Sequence, residues 1–289
     1  MVEIGIESEL KVTECNREHI LLDGEQLGPI TLDVSEAPSA VPGDALSVFI
    51  YTDPRAQALA TLSKPVVQRG QCASLKVVDI TNAGAFLDWG LDKNLLMPFA
   101  EQRRPVDIGR CETVLVYLDN SGRLAASSRL DHHLPETDDS FRPWQEVSLL
   151  IFQRTDLGLK AVVDNRALGL LYKDEIYQPL RVGESHTGFI KRLRFDGRID
   201  LSMQPRAEVL KPVLSERILQ FLHDNDGACE LSDKSSPEAI QTVFKVSKKN
   251  FKKAISALYK ERKIVIHADY IELADSASKN ASPEPSSGE

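Results

Sequence analysis

Between Lys245 and Lys263 the chain concentrates eight cations, Lys245, Lys248, Lys249, Lys252, Lys253, Lys260, Arg262 and Lys263, against a single acid, Glu261. The formal charge of this stretch is +7 in a chain of net -8, so the remainder carries about -15. Such an asymmetry focuses the binding of phosphate. Lys245, Lys248, Lys249, Lys252 and Lys253 fall at i, i+3, i+4, i+7 and i+8, the spacing of one stripe along a helix, opposite an apolar face of Phe251, Ile255 and Leu258. Lysine supplies charge but little base-specific geometry, which favours contact with a nucleic-acid backbone over sequence readout. A merely solvated helix would have the same lysines but usually interleaves acids. Groove reading of duplex DNA is the competing functional use.

A second set of candidate groups lies earlier. Phe86 stands between Ala85 and Leu87 in GAFLDWG. Strand alternation sends it to the face opposite theirs, where its ring would stack on a base rather than fill a core. Trp89, in the following turn, suits either a stacking platform or a lid over the end of a barrel. Tyr172 has the polar tip of a half-exposed aromatic. Arg123 and Arg198 follow Asp119 and Asp196 in turns, and KRLRFDGR adds Lys191, Arg192 and Arg194, of which Arg192 and Arg194 share a strand face. Cations on such a face attract phosphate. Asp119 serves equally as the cap of its own turn.

Catalysis finds no foothold in these residues. There is no P-loop, no GxGxxG after a strand, no HExxH and no nucleophile elbow. The six histidines are dispersed, and the neighbours His132 and His133 lack the further ligands a metal needs nearby, so they are expected as exposed linker residues. Cys15, Cys72, Cys111 and Cys229 form no CxxC pair and are expected as reduced, partly buried thiols. No enzyme activity, metal or cofactor is therefore expected. No stretch approaches the ~20 apolar residues of a membrane span, and the acidic start is not a signal peptide, so the expected compartment is the cytoplasm.

The elements that would position these groups repeat. Three segments consist of short apolar runs between turn residues, the pattern of strands closing into small barrels. Each has a late glycine before a hydrophobic strand (Gly43, Gly109 and Gly183, 66 and 74 residues apart), then an aspartate-initiated turn (Asp53, Asp119, Asp196), then a short closing strand. The expected organisation is an all-β OB-fold barrel at 1–64, a second at 65–130, a polar linker or short connecting helix at 131–143, a third barrel at 144–206, an α+β winged helix at 207–274 and a disordered Ser/Pro/Glu-rich tail at 275–289. Neighbouring barrels are expected to pack together, because domains of this size have small cores. The last folded part is predicted from apolar residues at helical spacing (Val209, Leu210, Val213, Leu214, Ile218, Leu219, Leu222), a turn at Asp226–Gly227, a helical run opened by Pro237, the lysine helix capped by Ser247, and a hairpin of IVIHAD and YIEL.

GAFLDWG followed by an apolar run resembles the signature of S1 RNA-binding domains, and GAFLDWGLDKNLLMPFAEQ together with the order of parts resembles the bacterial conserved virulence factor B family. The resemblance extends to about Ala274. It implies three S1 domains, a C-terminal winged helix and RNA binding. It assigns Phe86 the second of two stacking positions on its strand, with Ala83 at the first and Met97 near the third-strand position. Asp119 and Arg123 take the polar roles of the last turn. In repeat three it sets Leu157 and Lys160 at the paired positions, Tyr172 in place of a histidine, and Asp196 and Arg198 in a shorter turn. Repeat one, whose closing turn TDPRAQALATLS has no arginine near the matching position, is expected to be mainly structural.

The expected partner is therefore single-stranded RNA, with the ribosome or RNA-processing proteins as further partners and post-transcriptional regulation as the role. The alternatives are a duplex-DNA-binding transcriptional regulator and a protein-interaction scaffold whose winged helix docks on another protein.

Overall fold

In the computed structural model, which describes residues 1–53 and 55–274, the first barrel is built from β1 (Glu7–Cys15), β2 (His19–Asp23), β3 (Pro29–Asp33), β4 (Ala45–Thr52) and β5 (Ala58–Thr61). Its strands close in the order β1-β2-β3-β5-β4, with β3 and β5 parallel. The second uses β6 (Cys72–Thr81), β7 (Gly84–Asp88), β8 (Leu95–Pro98), β9 (Cys111–Leu118) and β10 (Leu124–Ser127) in the same order, left open between β8 and β10. A short helix, α1 (Leu130–His133), leads to the third. There β11 (Glu146–Arg154), β12 (Gly158–Val163), β13 (Ala167–Tyr172), β14 (Ser185–Leu193) and β15 (Ile199–Ser202) close completely. These are the OB-type barrels expected from the repeat.

The recurring glycine has a mechanical cause. The first strand of every barrel carries a bulge, at Val12–Glu14, Val77–Asp79 and Ile151–Gln153. A bulge bends a strand enough to let a small sheet curl onto itself. In each case the late glycine donates its N–H to the carbonyl just before the bulge: Gly43 to Val12 at 2.8 Å, Gly109 to Val77 at 2.8 Å and Gly183 to Ile151 at 2.7 Å. All three have positive φ, between 84° and 102°, a conformation side chains disfavour.

The C-terminal part runs α2 (Ala207–Asp224), β16 (Ala228–Cys229), α3 (Pro237–Phe244), α4 (Lys248–Lys260), β17 (Ile264–Ile266) and β18 (Ile271–Leu273), with sheet order β16-β18-β17. Helix, strand, two helices and a hairpin make a winged helix. Ser236 and Ser247 cap α3 and α4 with their side chains. Leu214, Ile218 and Leu222 of α2, Ile240 and Phe244 of α3, and Phe251, Ile255 and Leu258 of α4 form its core. Two residues depart from the predicted apolar face. Val209 and Val213 are 59% and 49% exposed, because the buried row of α2 runs through Leu210, Leu214, Ile218 and Leu222 at steps of four.

The segment expected as a polar linker or short connecting helix opens with α1 and is packed along its length. Leu130, Leu134 and Phe141 are buried, and Leu130 and Leu134 join Leu115, Leu150, Val162 and Leu168 in a core shared by the second and third barrels. His132 is exposed as expected, but His133 is half-buried, tilted against the Tyr117 ring at 4.7 Å and hydrogen-bonded to Glu101 at 3.2 Å. The four cysteines are free, with Cys111 exposed and Cys229 buried; burial pushes the Cys72 thiol up to about 12. Among the described residues no helix is long and apolar enough to cross a membrane. The predicted tail, 275–289, lies outside the described residues.

Candidate nucleic-acid interface

Phe86 is half-exposed between the buried Ala85 and Leu87, as strand alternation requires. It lines a cleft of about 640 Å³ with Tyr51, Asp79, Leu96, Asp119 and Arg123. Tyr51 comes from the first barrel, so repeat one contributes a ring to this cleft besides its structural role. That ring holds the position in VFIYT that Tyr117 holds in VLVYL, as the pairing Tyr51–Leu59 and Tyr117–Ala125 confirms. Alignment of the two strands would have found it. The Lys93 ammonium lies 5.5 Å from the Tyr51 ring centre.

Trp89 cannot offer a face to a base in this arrangement, because it is only 3% exposed. Its Nε1 donates to the Lys93 carbonyl at 2.7 Å, and its ring meets Phe49 of the first barrel edge to face at 5.6 Å. Of the two predicted uses the geometry is that of the lid, which here also seals a seam between barrels. Arg123 is paired rather than free: its Nε and Nη2 donate to Asp119 Oδ2 at 3.1 and 3.0 Å.

Asp119 is an ionised turn cap. Its partial burial opposes the charge, but the Ser121 hydroxyl, the backbone N–H groups of Arg123 and Ser121, and the Arg123 guanidinium outweigh that and hold it at about 2. A carboxyl depressed from the usual ~3.9 stabilises the fold fully above that value and loses its contribution as pH falls through the folded one. Thermal melts of wild type and Asp119→Asn are therefore expected to differ most above about pH 4 and to converge near pH 2. Parallel curves across that window would show that Asp119 is not the titrating group.

In the third barrel the hydrogen-bond register changes the predicted correspondence. Asp119 N–H donates to the Arg123 carbonyl, and the equivalent bond runs from Arg194 to Arg198. The two turns are thus equally long, and Arg194, not Asp196, stands where Asp119 does. The missing acid is supplied by Asp200 on β15, which sequence reasoning overlooked. Its side chain is 4% exposed and accepts from Arg192 Nη2 and Arg194 Nε, both at 2.7 Å. The other repeats have Leu59 and Ala125 at this place, and an acid on an otherwise apolar closing strand was the available signal. Arg192 and Arg194 share a face as predicted, because both reach this one carboxylate. Arg194 also donates to the Tyr172 hydroxyl, with its guanidinium 5.6 Å from the ring centre. Tyr172, Arg194, Arg198, Lys160, Leu157 and Glu136 line a cleft of about 440 Å³.

The lysine stripe is divided by the fold. Lys245 precedes α4 and closes α3 in the left-handed conformation (φ 54°), so it is off the predicted helix. Lys248 is half-buried and donates to the Lys234 carbonyl at 3.2 Å. Lys249, Lys252 and Lys253 are exposed, with Lys252 3.5 Å from Asp233. Lys252, Lys253 and Lys260 join Lys211 of α2 around a groove of about 310 Å³; Lys211 lies too far along the chain for helical spacing to have joined it to them.

The amino-terminal end of α4 is docked on the third barrel. Gln204, itself buried, donates to the Lys245 carbonyl at 3.1 Å and accepts from Asn250 Nδ2 at 2.8 Å. Gln241 donates to the Ile176 carbonyl at 3.2 Å. Burial pushes the Tyr177 hydroxyl up to about 12.

An S1 domain model matches residues 4–63 and 69–129, and a CvfB-like winged helix domain model matches 216–273. The chain is 28% identical over 255 residues to Uncharacterized protein YitL of Bacillus subtilis, covering 85% of both chains. It is 26% identical over 267 residues to Conserved virulence factor B of Staphylococcus saprophyticus, covering 87% of both. Conserved virulence factor B of Staphylococcus aureus is 28% identical over 247 residues, with 80% of each covered. A crystal structure from Streptococcus pneumoniae, described as a multidomain protein with nucleic acid binding domains, is similar at 23% identity over 93% of this chain and 98% of that one, with a TM-score of 0.41.

Proposed function

For a chain that its S1 domains and CvfB-like winged helix place in the conserved virulence factor B family, we propose a non-catalytic function: binding single-stranded RNA in the cytoplasm, in post-transcriptional regulation. S1 and winged-helix domains are nucleic-acid-binding types, which makes nucleic acid the partner class. Half-exposed rings beside cations, at Phe86 with Arg123 and at Tyr172 with Arg194, suit the stacked bases and phosphates of a single strand.

The observation that carries the choice of single strand over duplex is the docking of α4. A groove-reading helix inserts its amino-terminal residues among the base edges. Here that turn is held against the third barrel, with Asn250 donating to Gln204 and Gln204 donating to the Lys245 carbonyl. The lysines farther along α4 remain exposed, placed to follow a backbone rather than enter a groove.

The test is a titration of labelled oligouridylate and of a matched DNA duplex against the intact chain at two salt concentrations. Tight, salt-dependent RNA binding with weak duplex binding is expected. Preference for the duplex would instead favour the transcriptional regulator.

A further inference from the structure

The segment joining the second and third barrels lies as a strap across the candidate RNA face of the third. Its backbone is fixed at several points. The Pro135 carbonyl accepts from Leu168 N–H at 2.8 Å, Thr137 forms a β-bridge with Arg198, and Asp138 pairs with Arg166 at 2.8 Å. The Arg166 guanidinium in turn covers the ring of the buried Phe141 at 4.9 Å. Between these anchors Glu136 extends into the cleft that Tyr172 and Arg194 line.

Glu136 divides its two oxygens between two cations. Oε1 lies 3.1 Å from Lys160 Nζ, and Oε2 lies 3.0 Å from Arg198 Nε. Lys160 projects from β12 and Arg198 from the turn between β14 and β15. Two cations on separate elements engaging the two oxygens of one anion is the arrangement that grips the non-bridging oxygens of a phosphodiester. The side chains of Lys160, Arg198 and Glu136 are 32%, 60% and 40% exposed, so water competes for each contact and each is individually weak. Because the strap is held by its other residues, the Glu136 side chain can rotate away while the backbone stays in place.

We propose that Lys160 and Arg198 form a phosphodiester subsite that Glu136 fills as an internal stand-in, and that RNA engages the third barrel by displacing it. The proposal rests on the RNA reading above and adds to it a competitor built into the chain. It makes the third barrel a guarded site: a weakly held polyanion meets a neutralised surface, whereas a strand that also stacks on Tyr172 replaces the carboxylate.

The test is fluorescence anisotropy of labelled oligouridylate with the intact wild type, Glu136→Gln, Lys160→Ala/Arg198→Ala, and the combination of all three. Removing the competitor is expected to tighten binding by roughly three- to tenfold, the scale of one or two exposed ion pairs. In the background lacking both cations, Glu136→Gln is expected to change affinity by less than about twofold, because an exposed charge with no partner there contributes little. Wild-type binding that Glu136→Gln leaves unchanged or weakens would overturn the proposal. So would an equal gain in the background without Lys160 and Arg198, which would reveal only a change in overall charge. A wild type that binds no RNA would instead remove the RNA reading on which the proposal stands.

Discussion

Reversing Lys249, Lys253 and Lys260 to glutamate is expected to weaken RNA binding by about two orders of magnitude or more and to lower the salt slope by roughly two units, at ~0.7 per phosphate contact on a single strand. The three side chains are exposed on α4, and among the described residues none of them enters an ion pair. Their charge is thus available to a ligand rather than spent within the fold. They lie away from the Phe251, Ala254, Ile255 and Leu258 face that forms the core, and surface changes of this kind usually alter stability by less than about 0.5 kcal/mol each. The melting temperature should therefore stay close to wild type while affinity collapses. Full-strength binding in this variant would exclude the α4 face from the interface and leave only the barrels. Lys245 and Lys248 are poorer choices, because one lies off the helix and the other is already engaged with a carbonyl.

Asp200→Ala should have the largest effect on stability. The carboxylate is buried on β15, the strand that closes the third barrel by pairing with both β13 and β14. Its loss leaves Arg192 and Arg194 without their shared acceptor and opens a void beneath them. Breaking a buried charge-assisted pair costs about 3–5 kcal/mol; with both arginines partly in water, about 2–3 kcal/mol is expected here. Arg192→Ala, by contrast, removes a side chain that is 68% exposed and should cost no more than about 1 kcal/mol. Urea unfolding of the two variants would separate them, and equal midpoints would contradict the role given to Asp200. Because Arg194 also holds the Tyr172 hydroxyl, the same variant should bind RNA more weakly even where it remains folded.

Much of this architecture was legible locally. Short apolar runs and recurring glycines announce three small barrels because each bulge needs a backbone of positive φ beside it, and that need recurs at the same place in every copy. The alternation Ala85, Phe86, Leu87 puts the aromatic ring on the outer face because a strand has a period of two. The Ser247 cap and the apolar face of α4 follow from helical spacing in the same way. These are consequences of chain geometry over a few residues, and a linear sequence contains them in full.

The use made of each charge was decided elsewhere. Lys160, Arg198 and Glu136 are 24 to 62 residues apart in number, and nothing in their spacing says that one carboxylate will bridge the two cations. Asp200 serves Arg192 and Arg194 only because barrel closure brings β15 beside β14, and Trp89 turns inward only because the first barrel supplies Phe49 to meet it. The sequence by itself determined which elements form and which faces they bury, through periodicity and turn chemistry. Tertiary packing alone decided which cations stay free for a ligand and which end of α4 is covered, because ion pairing and burial depend on distances in space that closure and docking set.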